Sequence, residues 1–174
     1  MSAPDQPAAR RRHRIKLARE SFKFSVAHMT VFPDGRKERM HGHNYFIELG
    51  IDVREISFEK IIEFAVVRAA IEAICLEWRE VLLLGETNPF FELVKRDDTE
   101  TEFRLCGERY VLPNQDVLLL PIDNISVEAL AAHVAELLVE RLGPKVLDPS
   151  LVEAIEVGVN ESPGQGASCY RPLA

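Results

Sequence analysis

Residues 22–53 read FKFSVAHMTVFPDGRKERMHGHNYFIELGIDV, and this stretch decides the fold class. Its first part alternates between apolar and polar side chains up to His28, and its last part alternates again from His43 to Val53. A period of two places every second side chain on one face, so each part is predicted to be a β-strand with one buried face. Because only a Pro33-Asp34-Gly35 turn and a charged loop join the two strands, we expect them to pair antiparallel.

The rest of the chain adds two helices to a strand-rich region. Apolar side chains at helical spacing predict one helix from Ser57 to about Arg79, and a second from the N-cap residue Ser126 to Gly143-Pro144. The order strand, strand, helix, hairpins, helix, strand predicts an α+β fold of mainly antiparallel strands. The further predicted strands are Phe90–Arg96, Glu102–Cys106, Arg109–Leu112, Val117–Leu120 and Glu153–Asn160.

Composition restricts the class of protein. The chain has 174 residues, of which 47% are hydrophobic and 28% charged, and this is typical of one folded domain rather than a disordered polymer. No run of about 18 apolar residues is present, so we expect no membrane span. The polar, arginine-rich N-terminus does not resemble a secretory signal. Three cysteines without paired spacing favour a cytoplasmic location over a disulfide framework.

Charge is divided unevenly along the chain. Residues 1–19 carry six Lys/Arg and one Asp, a balance of +5, which leaves 15 basic and 27 acidic groups, a balance of −12, in residues 20–174. An acidic body disfavours nucleic-acid binding, because phosphate contacts need basic side chains. We predict a disordered basic tail over residues 1–13 and a single domain over residues 14–174. A role of Arg10–Arg14 in touching RNA or lipid stays open.

Three histidines have the spacing of a metal site. His41 and His43 lie two residues apart at the start of the second predicted strand, so their side chains project from one face, about 6.6 Å apart along the chain. His28 ends the neighbouring strand, and antiparallel pairing would bring it alongside. Three neutral imidazoles with one open position are typical of a catalytic zinc site. The alternative is a paired surface strand without metal. His133 is predicted to be a helix residue, and His13 belongs to the predicted tail.

Four sequence blocks resemble the signature blocks of the 6-pyruvoyl-tetrahydropterin synthase / 6-carboxy-tetrahydropterin synthase family, over roughly residues 14–171. This resemblance implies the tunnelling fold, in which an antiparallel sheet carries two helices on one face and subunits close into an oligomeric barrel, usually a homohexamer arranged as a dimer of trimers. It also implies Zn²⁺ on His28, His41 and His43, and a dihydropterin substrate, typically dihydroneopterin triphosphate. The blocks are Phe24-Ser25-Val26-Ala27-His28, His41-Gly42-His43-Asn44-Tyr45, Asn124-Ile125-Ser126-Val127-Glu128-Ala129-Leu130-Ala131 and Val157-Gly158-Val159-Asn160-Glu161-Ser162.

The resemblance also implies substrate-binding residues. Glu161 matches the glutamate that anchors the pterin, and a carboxylate can accept two hydrogen bonds from the planar N–H edge of that ring. Ser126 and Glu128 match a T-x-E block, so substrate contacts are expected there as well. For Ser126, helix capping alone is a sufficient alternative explanation, and for Glu161 the alternative is a salt-bridged or solvated side chain.

The sequence departs from the family at its proton-transfer groups. The usual cysteine ahead of H-G-H is absent, and Glu38 stands three residues before His41. This resembles a glutamate branch of the family, in which the side chain is cleaved to give 6-hydroxymethyl-dihydropterin, and makes Glu38 the candidate catalytic base. Trp78-Arg79 takes the place of the usual Asp-His relay, and two alternatives are open for Trp78, stacking on a substrate ring or packing in the core. Arg79 cannot accept a proton at neutral pH, so it is expected to steady an oxyanion or a phosphate.

Two functional readings follow, and they belong to different classes. The first is a zinc-dependent lyase of pterin biosynthesis that acts on the dihydropterin side chain. The second is a catalytically silent paralogue that binds pterin and zinc, since two proton-transfer groups are missing while the other motifs remain. A zinc hydrolase acting on another ring would explain the three histidines but not Glu161. A hairpin insertion at about residues 85–121 is expected to extend the sheet or an oligomer contact rather than to serve the chemistry.

Overall fold

The computed structural model describes residues 13–56, 58 and 61–173. Residues 1–12 of the predicted tail over residues 1–13, and the predicted helix start at Ser57, lie outside the described residues. His13, which belongs to the predicted tail, instead begins strand β1. The described ranges contain two α-helices, α1 (Phe64–Trp78) and α2 (Val127–Val146). They also contain nine strands: β1 (His13–His28), β2 (His41–Val53), β3 (Leu82–Gly85), β4 (Phe91–Arg96), β5 (Glu100–Leu105), β6 (Glu108–Pro113), β7 (Val117–Leu120), β8 (Val152–Ser162) and β9 (Gln165–Pro172).

The main sheet has six strands in the order β7-β3-β1-β2-β8-β9. Strands β1 and β2 pair antiparallel, with His28 opposite His41 and Val26 opposite His43, as the alternating pattern predicts. The pairs β2-β8 and β8-β9 are also antiparallel, whereas β3 runs parallel to both β1 and β7. The sheet is therefore mixed, and the α+β prediction is confirmed with a correction at one edge.

Two strands have no counterpart in the sequence prediction. All four residues of β3 are buried, so this strand shows no alternation by which it could be recognised. Strand β9 lies in a glycine-rich stretch that reads as a loop, and it forms a hairpin with β8 in which Gly164 has a φ of 82°. A positive φ is accessible to glycine at little cost, which explains how so tight a return is made.

The helices differ from prediction at their ends. Helix α1 begins at Phe64 after an extended Glu63 that makes no side-chain cap, and residues 61–63, which the prediction included in the helix, are not helical. Helix α2 is capped as predicted, since the Ser126 hydroxyl accepts a hydrogen bond from the Ala129 amide. Its backbone kinks at Gly143 but continues to Val146, one turn beyond the predicted stop. Within the described residues, neither helix has the length and apolarity needed to cross a membrane.

The molecule has two hydrophobic clusters. In the larger one, α1 and α2 pack together on one face of the main sheet, with Phe24, Tyr45 and Trp78 fully enclosed. The smaller one lies between the three-stranded sheet β4-β5-β6 and the segment that follows β1. Its buried members are Met29, Val31, Leu82, Leu84, Phe103, Leu105 and Val117. The segment from β4 to β7 therefore covers the loop between β1 and β2 and adds β7 to the main sheet.

Candidate active site

The three predicted histidines converge at one end of the β1-β2 ladder. The ring centroids of His28 lie 4.5 Å from those of His41 and 5.2 Å from those of His43, and the latter two are 4.9 Å apart. Each ring offers a nitrogen such that the three atoms lie within 4.8 Å of one another, and the Nε2 atoms of His41 and His43 are 3.1 Å apart. The three histidine side chains meet because they all lie on the face of the β1-β2 pair that the helices cover. Alternate residues of a strand point to the same face of a sheet.

Backbone carbonyls fix the tautomers of two of these rings. The Nδ1 atom of His28 lies 3.1 Å from the carbonyl oxygen of Ile125, and that of His41 lies 2.8 Å from the carbonyl oxygen of Arg39. A carbonyl only accepts, so each Nδ1 carries the hydrogen and each Nε2 keeps its lone pair. This arrangement orients metal-binding histidines in proteins generally. The donor set therefore fits a zinc ion held by three Nε2 atoms.

His28 is held in the neutral form that ligates metals. Its side chain is 3% exposed, and burial together with the nearby His41 lowers the pKa of His28 to about 4. The hydroxyl of the fully buried Tyr45 lies 3.1 Å from its Nε2 atom and donates to it. Burial also raises the pKa of Tyr45, so this hydroxyl stays protonated at neutral pH.

Two carboxylates lie next to the histidines. Glu38 Oε2 lies 3.9 Å from Nε2 of His41, and Glu161 Oε2 lies 3.9 Å from Nε2 of His43. A hydrogen bond to the Thr30 side chain lowers the pKa of Glu38, so its carboxylate is ionised at neutral pH. Glu161 is 18% exposed and accepts a hydrogen bond from the Gln165 amide. The structure thus brings together five of the predicted site residues.

Asn124 links the loop after β1 to the segment before α2. Its Oδ1 atom accepts from the backbone amides of Val31 (3.0 Å) and Ile125 (3.1 Å), and its Nδ2 atom donates to the Val31 carbonyl (2.9 Å). The same Ile125 supplies the carbonyl that orients His28. Asn124 is one of the residues quoted above for the family resemblance, but neither its spacing nor its chemistry indicates this positioning role in the sequence.

The remaining predicted residues lie further from the histidines. Ser126 caps α2 through the Ala129 amide, and Glu128 is exposed on the first turn, where its own backbone amide and the Ser126 hydroxyl lower its pKa. Arg79 is exposed at the end of α1, and among the described residues its side chain makes no hydrogen bond or ion pair that we identify. In the part of the chain that the structure describes, no hydrogen bond or ion pair that we find joins these three residues to the histidines.

Trp78 belongs to the core. It is 2% exposed, meets Phe24 edge to face at 5.3 Å and stacks on the partly exposed His133 at 5.9 Å with an interplanar angle of 6°. Of the two alternatives for this tryptophan, packing is therefore the one observed, and stacking on a substrate ring is not. His133 is a partly buried helix residue, as expected, and burial lowers its pKa.

A groove of about 510 Å³ lies on the sheet face that carries no helix, whereas the histidine side chains lie on the helix-covered face; of the three histidines, only His43 is among its lining residues. This volume lies within the range of roughly 300–1,000 Å³ that small-molecule sites occupy. The groove is lined by apolar side chains, among them Met40, Val81 and Leu112, as well as by polar and charged ones. The polar members are Ser25, His43, Asn44, Glu80 and Asp116.

Comparison with known proteins defines the class. The chain superposes on 6-pyruvoyl tetrahydropterin synthase from Plasmodium vivax with a TM-score of 0.84 at 22% identity, covering 94% of this chain and 99% of that one. The enzyme from Plasmodium falciparum gives 0.84 and 22%, with 93% and 99% covered. The fold is therefore that of the 6-pyruvoyl tetrahydropterin synthases, the predicted tunnelling fold, in its subunit architecture.

Sequence relatives identify the family. A family model described as 6-pyruvoyl tetrahydropterin synthase matches residues 16–172. A Methanocaldococcus jannaschii protein with the provisional name 6-carboxy-5,6,7,8-tetrahydropterin synthase is 34% identical over 150 residues, which cover 86% of this chain and 89% of that protein. The chain belongs to the 6-pyruvoyl tetrahydropterin synthase family, and the resemblance inferred from its sequence is confirmed.

Proposed function

We propose that this protein is a zinc-dependent enzyme that converts the side chain of dihydroneopterin triphosphate or a related dihydropterin. The observation that carries the proposal is the cluster of three imidazoles with a carboxylate 3.9 Å from each of two of them. The family and the names of its relatives support a pterin as the substrate class.

His28, His41 and His43 would hold the zinc ion. Two of the three rings have their tautomers fixed by backbone carbonyls, so their Nε2 atoms keep the lone pairs that ligate a metal. The Tyr45 hydroxyl, which donates to Nε2 of His28, would have to turn away when the ion binds. When bound, the ion would polarise the hydroxyl or carbonyl oxygens of the substrate's side chain. The chain has to supply imidazole rings in their neutral form as metal ligands. Because the pKa of the buried His28 is low, this ring stays neutral well below pH 7.

Glu161 would bind the pterin ring. A half-enclosed carboxylate at the end of a buried strand needs hydrogen-bond donors, and Gln165 supplies one of them here. The ring's adjacent N–H and amino groups form a planar pair of donors that a carboxylate accepts bidentately. Ser126 and Glu128 are proposed to add substrate contacts, because Ser126 follows Ile125, whose carbonyl touches His28.

Glu38 would act as the base. It is ionised, it lies beside His41, and with Glu161 committed to the ring it is the carboxylate available for proton transfer. Loss of a side-chain hydroxyl proton to Glu38 would start cleavage of the adjacent carbon–carbon bond. The electron pair would move to the carbon attached to the ring, which takes up a proton, while the rest of the side chain leaves as an aldehyde. The product would be 6-hydroxymethyl-dihydropterin.

The fold supports a glutamate in this role. The Plasmodium vivax enzyme has been solved as variants in which a glutamate, described as the catalytic residue, is replaced by alanine or cysteine. A 6-pyruvoyl or 6-carboxy product would need further proton transfers, and Trp78 is unavailable for them because it is buried in the core. The exposed guanidinium of Arg79 is proposed to steady a phosphate or an oxyanion of the substrate.

We also propose a homo-oligomer in the cytoplasm. Both helices cover the same face of the main sheet, and the other face carries an open polar cavity of about 220 Å³ lined in part by Lys16, Glu48 and Ser168. A barrel closed by several copies, for instance a dimer of trimers, would enclose this face. The three cysteines are free, which suits a reducing compartment.

The test combines zinc analysis with a product assay on the wild type, Glu38→Gln and the exposed control Glu92→Gln. We expect about one zinc per chain in all three and conversion of dihydroneopterin triphosphate by the wild type and Glu92→Gln. Removal of a general base should lower the rate of Glu38→Gln by about 10²–10⁴-fold. Zinc and pterin binding without turnover by the wild type would favour the silent paralogue instead. Absence of both zinc and pterin binding would refute either function.

A further inference from the structure

Lys37 and Glu38 point to opposite sides of the loop between β1 and β2. The loop backbone is extended here, with Val31 and Lys37 forming an isolated antiparallel bridge and the Glu38 amide donating to the Thr30 carbonyl at 2.9 Å. Successive side chains of extended backbone alternate in direction. Glu38 therefore faces the histidines only if Lys37 faces away from them, toward the β4-β5-β6 sheet.

That sheet provides a binding site for the Lys37 side chain. Its ammonium Nζ lies 2.9 Å from Oε2 of Glu108 and 5.5 Å from the ring centroid of Tyr110. The Tyr110 hydroxyl donates to the same Glu108 oxygen at 2.7 Å. Although burial opposes its charge, hydrogen bonds to Glu108 and Tyr110 raise the pKa of Lys37, so the ammonium stays charged. We refer to Lys37, Glu108 and Tyr110 as the lysine clamp.

The lysine clamp is partly enclosed by the smaller core: Lys37 and Tyr110 are enclosed there, whereas the Glu108 carboxylate is 66% exposed. Lys37 is 10% exposed, and the Tyr110 ring stacks on the fully buried Phe103 at 5.1 Å with an interplanar angle of 10°. By contrast, the neighbouring Arg36 is 77% exposed and pairs within the loop with Asp34. A lysine this enclosed is uncommon on a charged loop, since it gives up both hydration and side-chain freedom.

We propose that the insertion at residues 85–121 positions the catalytic base, with Lys37, Glu108 and Tyr110 as positioning residues that keep Glu38 directed at the histidines. This inference rests on the proposed role of Glu38. It differs from the sequence-based expectation, which gave the insertion no part in the chemistry. A base must lie within hydrogen-bond reach of its proton, so small rotations of the loop are costly in rate.

The test uses Lys37→Met, which keeps the apolar stem and removes the charge, and Glu108→Gln. The matched control is Glu102→Gln, which breaks the exposed 2.7 Å ion pair between Glu102 on β5 and Arg109 on β6 of the same sheet. We expect kcat to fall about tenfold in Lys37→Met and Glu108→Gln, with KM and zinc content within twofold of the wild type. Lys37→Arg should recover most of the rate, and Glu102→Gln should leave all three quantities unchanged.

Two further measurements separate positioning from general stability. In a Glu38→Gln background, Lys37→Met should cause no additional loss of kcat, because a clamp that acts through Glu38 has nothing left to position. Hydrogen exchange of the Glu38 amide in the zinc-free protein should accelerate at least tenfold in Lys37→Met but not in Glu102→Gln.

Three results would overturn the inference. The first is an additive loss of kcat in the double variant, which would show that Lys37 acts independently of Glu38. The second is a joint fall in zinc content, pterin affinity and melting temperature, which would reduce the clamp to a structural contact. The third is unchanged exchange and unchanged kcat in Lys37→Met. A fully active Glu38→Gln refutes the proposed base itself, and that outcome is distinguishable because the exchange measurement does not depend on turnover.

Discussion

Replacing Asn124 by alanine tests how the site is held together. The substitution removes the partners of three backbone groups: the N–H and C=O of Val31 and the N–H of Ile125. Val31 is 8% exposed and Ile125 is 2% exposed, so water does not readily replace the lost bonds. An unpaired buried polar group costs about 1–3 kcal/mol. Allowing for local relaxation, we expect Asn124→Ala to lower the free energy of unfolding by about 3–5 kcal/mol.

The same substitution should weaken zinc binding. The Ile125 carbonyl orients the His28 ring, and loss of such a supporting contact typically lowers metal affinity by about 10–100-fold. Unfolding of the zinc-free protein can be followed in urea through the fluorescence of Trp78, which is the single tryptophan and is buried. Zinc affinity can be measured by competition with a chromogenic chelator.

Asn114→Ala is the matched control. Its Oδ1 accepts from the Thr101 hydroxyl at 2.6 Å and its Nδ2 donates to the Asp97 carbonyl at 2.7 Å, in the insertion. This variant should lose stability but keep the zinc affinity of the wild type. The reasoning would be refuted by an Asn124→Ala protein that loses less than about 1 kcal/mol and binds zinc as the wild type does. Equal zinc losses in both variants would point to general destabilisation instead.

Three further predictions concern the core and the strand edges. Trp78→Ala should lower the free energy of unfolding by about 3–5 kcal/mol in urea, and a loss of activity without a loss of stability would contradict its assignment to the core. Gly85→Ala should lower the free energy of unfolding by about 1–3 kcal/mol, because the added Cβ would lie 2.6 Å from the Ile122 carbonyl oxygen. The control is Gly158→Ala, whose added Cβ would lie 3.6 Å from the Glu48 Cβ and should change thermal stability little. Burial raises the pKa of the Cys75 thiol to about 11, so Cys75 should not react with a disulfide reagent at pH 8 until the protein unfolds; rapid labelling of the folded protein would contradict this.

The parts of the fold that the sequence predicts are those with a local pattern. Strands β1 and β2 alternate because one face of each is buried against α1 and α2 and the other is exposed. The Ser126 cap is predictable for the same reason, since it involves groups three residues apart. Strand β3 carries no such pattern because both of its faces are covered, one by the larger core and one by the smaller. The sequence does not show where α1 begins, because apolar side chains at helical spacing continue before Phe64. Some of them, such as Ile61, are exposed in the structure.

The candidate site, too, is predictable from the sequence only in part. The spacing of His41 and His43, and the position of His28 at a strand end, lead directly to the cluster because strand pairing converts sequence position into distance. The carbonyls of Arg39 and Ile125 carry no sequence signal, since every residue has the same backbone groups. The distinction between packing and substrate stacking for Trp78 depends on which residues surround it, and that is settled only by the tertiary structure.

The loop between β1 and β2 explains why a catalytic group can be placed on an irregular segment. Twelve residues without regular structure would ordinarily be mobile, and mobility of the base would lower the population of reactive geometries. Here the loop is fixed by three contacts, of which two come from other parts of the chain: Asn124 at Val31, a backbone bond from Glu38 to Thr30 within the loop itself, and the lysine clamp. Because the first contact comes from the segment before α2 and the last from the insertion, neither can be removed without loosening the loop at one end. If Glu38 is the base, as proposed above, the insertion serves the part of the site that departs from the pattern of the family, which is where added positioning is needed most.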